Sequence, residues 1–188
     1  MNRSLRTIAA GLVLAAGFGG AERALADESW VKAPNFRSKD MSGAPVVLED
    51  LLGKGPILVD FWATWCKPCI KELPYIQKLH DEYAEKGLMV LAVTIDSPKS
   101  QSRVKPFIKG RKFTFPVVMD GSQDVFRKLQ GKGSIPYVVV LDAEGNIRYR
   151  HTGYRPGDEK ELERVVLELL GEGGADPAGE AGLEESTG

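Results

Sequence analysis

The chain is nearly without cysteine and histidine: in 188 residues it has Cys66 and Cys69, His80 and His151, and no others. Two cysteines cannot build the multi-bridge frameworks on which many small secreted domains depend. A closed zinc site needs four ligands, and neither histidine stands at the spacing that would complete one with the cysteine pair. The wider cysteine spacing and adjacent histidine of a copper-delivery site are missing too, so no metal and no cofactor is expected. There is no surplus of either charge, with 25 basic against 26 acidic residues, and therefore no electrostatic footprint for nucleic acid or an anionic membrane. The longest apolar stretch, residues 7–20, is shorter than the roughly 20 residues that cross a bilayer as a helix, which argues against a membrane anchor.

That stretch has another reading. Arg3 and Arg6 precede it and the small-x-small run Ala24-Leu25-Ala26 follows it, which is the pattern of a secretory signal cut after Ala26. The two arginines are not adjacent, as a twin-arginine signal would require, and no cysteine near the cut site offers a lipid attachment point. Residues 1–26 hold three arginines and one glutamate, so 22 basic and 25 acidic residues remain in the 162 that follow, a net charge of −3. A chain of that length buries an adequate core without disulfide staples, which leaves both cysteines free for chemistry. At the other end, residues 171–188 are rich in glycine and acid, with Leu183 as the one large apolar side chain, and read as a disordered tail. One domain, residues 27–170, is expected between them, soluble, exported and monomeric.

Four apolar runs rich in β-branched residues, 57–62, 88–95, 115–119 and 137–141, are continuous rather than alternating, which predicts central strands covered on both faces. A fifth, 146–152, alternates and follows the turn-forming Asp142-Ala143-Glu144-Gly145-Asn146, so the last two runs should form a hairpin. Ile70, Leu73, Ile76, Leu79 and Tyr83 predict a helix over 68–85 that Gly87 stops, with a kink at Pro74. Shorter helices are expected over 99–109 and 122–130, and an amphipathic one over 158–170. Residues 31–54 read as two short extended pieces around Ser42-Gly43. The sum is a mixed α/β sheet flanked by helices.

The cysteine pair falls where the strand 57–62 gives way to the helix from Pro68. A disulfide spanning two residues closes so small a loop that a purely structural role gains little. At a helix start, however, unpaired N–H groups favour a thiolate, with pKa values of roughly 3.5 to 7.5 against about 8.5 for free cysteine. The thiolate is the attacking species of disulfide exchange. Cys66 is thus the candidate nucleophile, and Cys69, one turn later, the candidate resolving thiol. Pro68 suits the first helical turn, and Lys67 adds positive charge that favours the thiolate and tunes the potential. Asp60 interrupts an apolar strand, so either its pKa is raised or its charge is paired, with a backbone or lysine contact as the bland alternative. Raised, it is a candidate proton acceptor for Cys69. Pro136 opens the last central strand and suggests a fixed turn in which a cis bond fits, and the Ile135 backbone there is placed to pair with an extended substrate.

The stretch ILVDFWATWCKPCIKELP, residues 57–74, resembles the active-site segment of the thioredoxin superfamily. The lead APNFRSKDMSGAPVVLEDLLGKGPILVDFW and an insertion over about 97–125, ahead of IPYVVVLDAEGNIRYRHTGY, are similar to the exported TlpA/ResA-like branch. The resemblance implies a thioredoxin fold with an N-terminal extension and that insertion. It implies Cys66 as nucleophile, Cys69 as resolving thiol, Asp60 as the buried acid, and Pro136 as the cis-proline that contacts substrate together with Trp65 and Ile135. It implies a periplasmic reductase of disulfides in exported proteins, for example c-type apocytochromes, fed by a DsbD- or CcdA-like transmembrane donor. Two positions depart from the branch: Asp60 stands where many members have Asn, and Lys67 where Gly or Pro is commoner. The direction of electron flow stays open, as does a redox-sensing or thiol-chaperone module without turnover. Peroxiredoxins resemble the insertion too, but they place Thr three residues before their cysteine, and Thr64 is two before Cys66.

Overall fold

The structure is a computed structural model describing residues 30–172; the signal-segment and tail readings lie outside them. In chain order the elements are β1 (Arg37–Asp40), β2 (Pro45–Val47), β3 (Ile57–Trp62), α1 (Lys67–Tyr83), β4 (Met89–Thr94), α2 (Val104–Arg111), β5 (Val117–Met119), α3 (Asp124–Lys128), β6 (Tyr137–Leu141), β7 (Ile147–Thr152) and α4 (Asp158–Leu169). The strands form one mixed sheet in the order β2-β1-β5-β4-β3-β6-β7. β3 pairs in parallel with β4 on one side and antiparallel with β6 on the other, and all six of its residues are buried. Continuous apolarity was the mark of such a strand, since both its faces and both its edges are covered.

Alternation sends neighbouring side chains of β3 to opposite faces. Phe61 meets Phe126 of α3 at 5.2 Å between ring centroids, and Trp62 meets Phe107 of α2 at 5.3 Å. α1 packs against β3 and β4, burying Cys69, Leu73, Ile76, Leu79 and Tyr83, and its helical run continues through Pro74. α4 lies beside α1, where Glu163 accepts hydrogen bonds from the hydroxyls of Tyr75 (2.9 Å) and Tyr83 (2.9 Å).

The expected hairpin is present as β6 and β7, and the two extended pieces of 31–54 are β1 and β2, paired antiparallel. β5 begins two residues later than the apolar run suggested. Pro116 has no N–H to give, although its carbonyl still accepts from Ala92 at 2.9 Å. The insertion supplies α2 and β5, and β5 in turn pairs antiparallel with β1. The lead and the insertion therefore extend the sheet together, on the side away from β6. At the start of β3, Gly55 has φ +140°, and a side chain there would collide with the carbonyl of Gly87, just ahead of β4. Only glycine meets both conditions.

Candidate active site

β3 ends at Trp62 and α1 begins at Lys67, and the four residues between them carry Cys66 to the helix N-cap. Its backbone is extended there (φ −84°, ψ 99°), and its Sγ accepts the N–H of Cys69 at 3.2 Å. The sulfur thus occupies the place of an ordinary capping oxygen. Cys66 and Cys69 form a disulfide with their Cα atoms 5.3 Å apart. Cys66 is 5% exposed and Cys69 is fully buried, so an attacking sulfur from outside reaches Cys66 first. Trp65, beside it, is 58% exposed. The Ile135–Pro136 bond is cis, and the Ile135 carbonyl oxygen lies 3.8 Å from Cys66 Sγ. Pro68, Ser134, Ile135 and Pro136 line an open groove of about 510 Å³, and Lys67 is exposed at its helix start.

Behind the pair lies an acid that was expected and one that was not. Asp60 is 1% exposed and, among the described residues, neither carboxylate oxygen has a hydrogen-bond partner, which speaks against the paired-charge and backbone-contact readings. Burial pushes its pKa up to about 7. Glu72 is 4% exposed, its Oε2 likewise without a partner, and burial followed by the charge of Asp60 pushes it to about 9. Cys69 and Glu72 stand three residues apart on the buried face of α1, the spacing of helical neighbours. The signal for Glu72 was present in the sequence, as the one acid on a face otherwise formed by Cys69, Leu73, Ile76 and Leu79. Near neutral pH the pair holds a proton inside the fold.

Residues 31–150 match the AhpC/TSA family. The chain belongs to that family. A thiol-disulfide oxidoreductase ResA of Bacillus thuringiensis is 38% identical over 116 residues, 62% of this chain and 65% of that protein. A protein of the same name from Bacillus cereus is 34% identical over 137 residues, 72% of this chain and 77% of the relative. The chain thus spans about two thirds to three quarters of these curated relatives. Among solved structures, a thiol:disulfide interchange protein of the thioredoxin family from Chlorobium tepidum superimposes with a TM-score of 0.65 at 28% identity, covering 77% of this chain and 99% of that one. The thioredoxin fold and the ResA-like resemblance read from the sequence agree with these comparisons.

This AhpC/TSA-family chain holds its cysteine loop with a residue that sequence reading passed over. Asp96, fully buried just past the end of β4, accepts the N–H of Thr64 at 2.8 Å and its hydroxyl at 2.7 Å, along with the Thr94 hydroxyl at 2.8 Å. Nothing local marks it, since the contact joins residues 32 apart. Asp96→Ala leaves the buried Thr94 hydroxyl and the half-buried Thr64 donors without that partner, at about 2 kcal/mol, or a Tm drop of about 4–8 °C. Scanning calorimetry checks this, and an unchanged Tm would remove Asp96 from the loop's support. Both histidines are half-buried, and His151 Nε2 lies 3.0 Å from Asp158 Oδ2. α4 and the preceding turn fold back onto β7, an approach that periodicity does not reveal.

Proposed function

We propose that the protein is an exported thiol-disulfide oxidoreductase that reduces disulfides of other exported proteins in the periplasm. The single observation that carries this reading is Cys66 Sγ at the N-cap of a 17-residue helix, 3.2 Å from the Cys69 N–H and beside the Ile135 carbonyl. Reduced, Cys66 attacks a substrate disulfide as a thiolate and Cys69 resolves the mixed disulfide. Asp60 takes the proton that Cys69 gives up. Trp65, Ile135 and Pro136 receive the substrate chain, and the groove beside Pro136 has room for an extended peptide. The working unit is residues 27–170, acting as a monomer after removal of residues 1–26. Its electrons come from a DsbD- or CcdA-like transmembrane donor, and c-type apocytochromes are among its substrates.

Magnitudes rank the influences on the nucleophile. A single exposed charge, as Lys67 carries, contributes at most about 1 kcal/mol even at 4 Å in water, about three quarters of a pKa unit. Helix starts and C-x-x-C motifs move cysteines by roughly 1 to 5 units. The helix start is therefore the dominant cause and Lys67 a fine adjustment. The peroxidase alternative loses support from the same loop, because the Thr64 hydroxyl is engaged by Asp96.

The redox potential of the Cys66–Cys69 couple against glutathione tests the direction. A value near that of thioredoxin, about −270 mV, is expected, and one near −120 mV would make the protein an oxidant. Cys69→Ser should accumulate mixed disulfides with exported proteins on non-reducing gels, and their absence would count against the resolving role.

A further inference from the structure

Asp60 of β3 pairs with Val138 of β6, and Val138 pairs with His151 of β7. The three side chains therefore leave the same face of the sheet in one row. With strands about 4.8 Å apart, the row runs from the buried centre of the sheet to its edge in about 10 Å. Val138 is apolar, so a polar connection between its two ends has to pass over it. α1 places Glu72 there. Glu72, Val138, His151 and Asp158 line a cavity of about 10 Å³, room for about one water molecule and too small for any substrate group. His151 and Asp158 also line the open groove that runs beside Pro68, Ile135 and Pro136. His151 and Asp158, 3.0 Å apart, thus stand with Tyr154 between the buried Glu72 and the substrate groove, and the His151 side chain is 34% exposed.

Among the described residues neither Asp60 carboxylate oxygen, nor Glu72 Oε2, has a protein partner, and no hydrogen-bonded route along β3 leads a proton away from Asp60. We propose that His151, held by Asp158, is the outlet of a proton relay that connects the Asp60–Glu72 pair to the substrate groove during disulfide exchange. The relay rests on the exchange activity proposed above. In the resolving step the Cys69 S–H bond breaks and the sulfur's electron pair forms the Cys66–Cys69 bond. The bond between Cys66 and the substrate sulfur breaks, and the substrate leaves as a thiolate. The Cys69 proton passes to the Asp60 carboxylate, and the Asp60–Glu72 pair releases one proton through a cavity water to His151. His151 gives it to solvent in the groove, from which the departing thiolate takes up its own proton.

Facing Glu72 are Asp60 of β3, Tyr75 of α1, Tyr149 and His151 of β7, and Asp158 and Glu159 of α4, with Tyr154 on the β7–α4 loop and Arg155 of that loop on the groove side. Burial raises the pKa of Tyr75, Tyr149 and Tyr154 from an already high value, and an arginine does not give up its proton. His151, Tyr154 and Asp158 border both spaces, and of these side chains the imidazole is the type that both accepts and releases a proton near neutral pH. His151 acts through Glu72 and Asp60 and does not touch the reacting sulfurs, so it is a positioning residue for the proton.

Reduced protein mixed with the chromogenic disulfide of thionitrobenzoate releases two coloured thiolates, the first on attack by Cys66 and the second on resolution by Cys69. His151→Gln is expected to leave the first phase unchanged and to slow the second about tenfold at pH 7, a part of the 10² to 10⁴ that general acid-base catalysis commonly supplies. The pH profile of the second phase should change, and Asp158→Asn should act in the same direction. Free imidazole should restore the second phase in His151→Ala. Unchanged second phases in all three variants, or equal slowing of both phases without imidazole rescue, would overturn the relay and leave the exchange activity standing. A wild-type protein with no first phase would overturn the activity, and the relay with it.

Discussion

Cys66→Ser is expected to lower turnover in an insulin-reduction assay by about 10³-fold or more, the order of loss when an enzyme gives up its nucleophile. The fold should hardly notice. Serine is among the preferred N-cap residues, and a hydroxyl can take the Cys69 N–H that Cys66 Sγ now accepts. The comparison belongs in the reduced state, because in the oxidised state the variant also loses a crosslink worth about 2 kcal/mol for a four-residue loop by chain entropy. A reduced Cys66→Ser protein with wild-type unfolding and no turnover assigns the loss to sulfur chemistry. Retained turnover would remove Cys66 as nucleophile, and with it the proposed mechanism.

Asp60→Asn should make the oxidised protein more stable at pH 8 while slowing exchange near neutral pH. Asp60 titrates at 3.8 unfolded and at about 7 in the fold. Between those values the native state keeps a proton that the unfolded chain has released. The stabilisation from that proton is complete below pH 3.8 and is lost as pH rises through about 7. From pH 5 to pH 8 the loss attributable to Asp60 is roughly 3 kcal/mol, and Glu72 adds a loss of the same sign that runs on toward pH 9. Asparagine carries no titrating proton, and the cost of burying its amide does not vary with pH. The advantage of the variant over wild type should therefore grow between pH 5 and pH 8. Urea unfolding at both pH values measures it, and parallel behaviour of the two proteins would show that Asp60 is not a buried titrating acid. A stabilising substitution that lowers activity is the expected trade where a site stores an unfavourable group for its chemistry.

These expectations draw unequally on sequence and structure. The strand-to-helix junction that carries Cys66 and Cys69, the buried acid at Asp60 and the proline ahead of β6 were all legible in the chain. Each is a local signal: an apolar run, a turn, a capping position or a charge where the pattern demands none. The hairpin of β6 and β7 and the long helix α1 were legible for the same reason. Glu72 was legible in principle, as a break in the apolar face of α1, but its meaning needed Asp60 opposite it.

Sequence alone determined the reactive element and the class of chemistry it supports, because helix starts act on a sulfur within a few residues. Tertiary structure alone decided which distant groups serve it. The Ile135 carbonyl lies beside Cys66 across 69 residues, and Asp96 grips Thr64 across 32. Asp60, Val138 and His151 fall into one row only once three strands take a common register. Burial, and with it the raised pKa values of Asp60 and Glu72, is likewise a property of everything packed around a residue, which no window of neighbouring sequence contains.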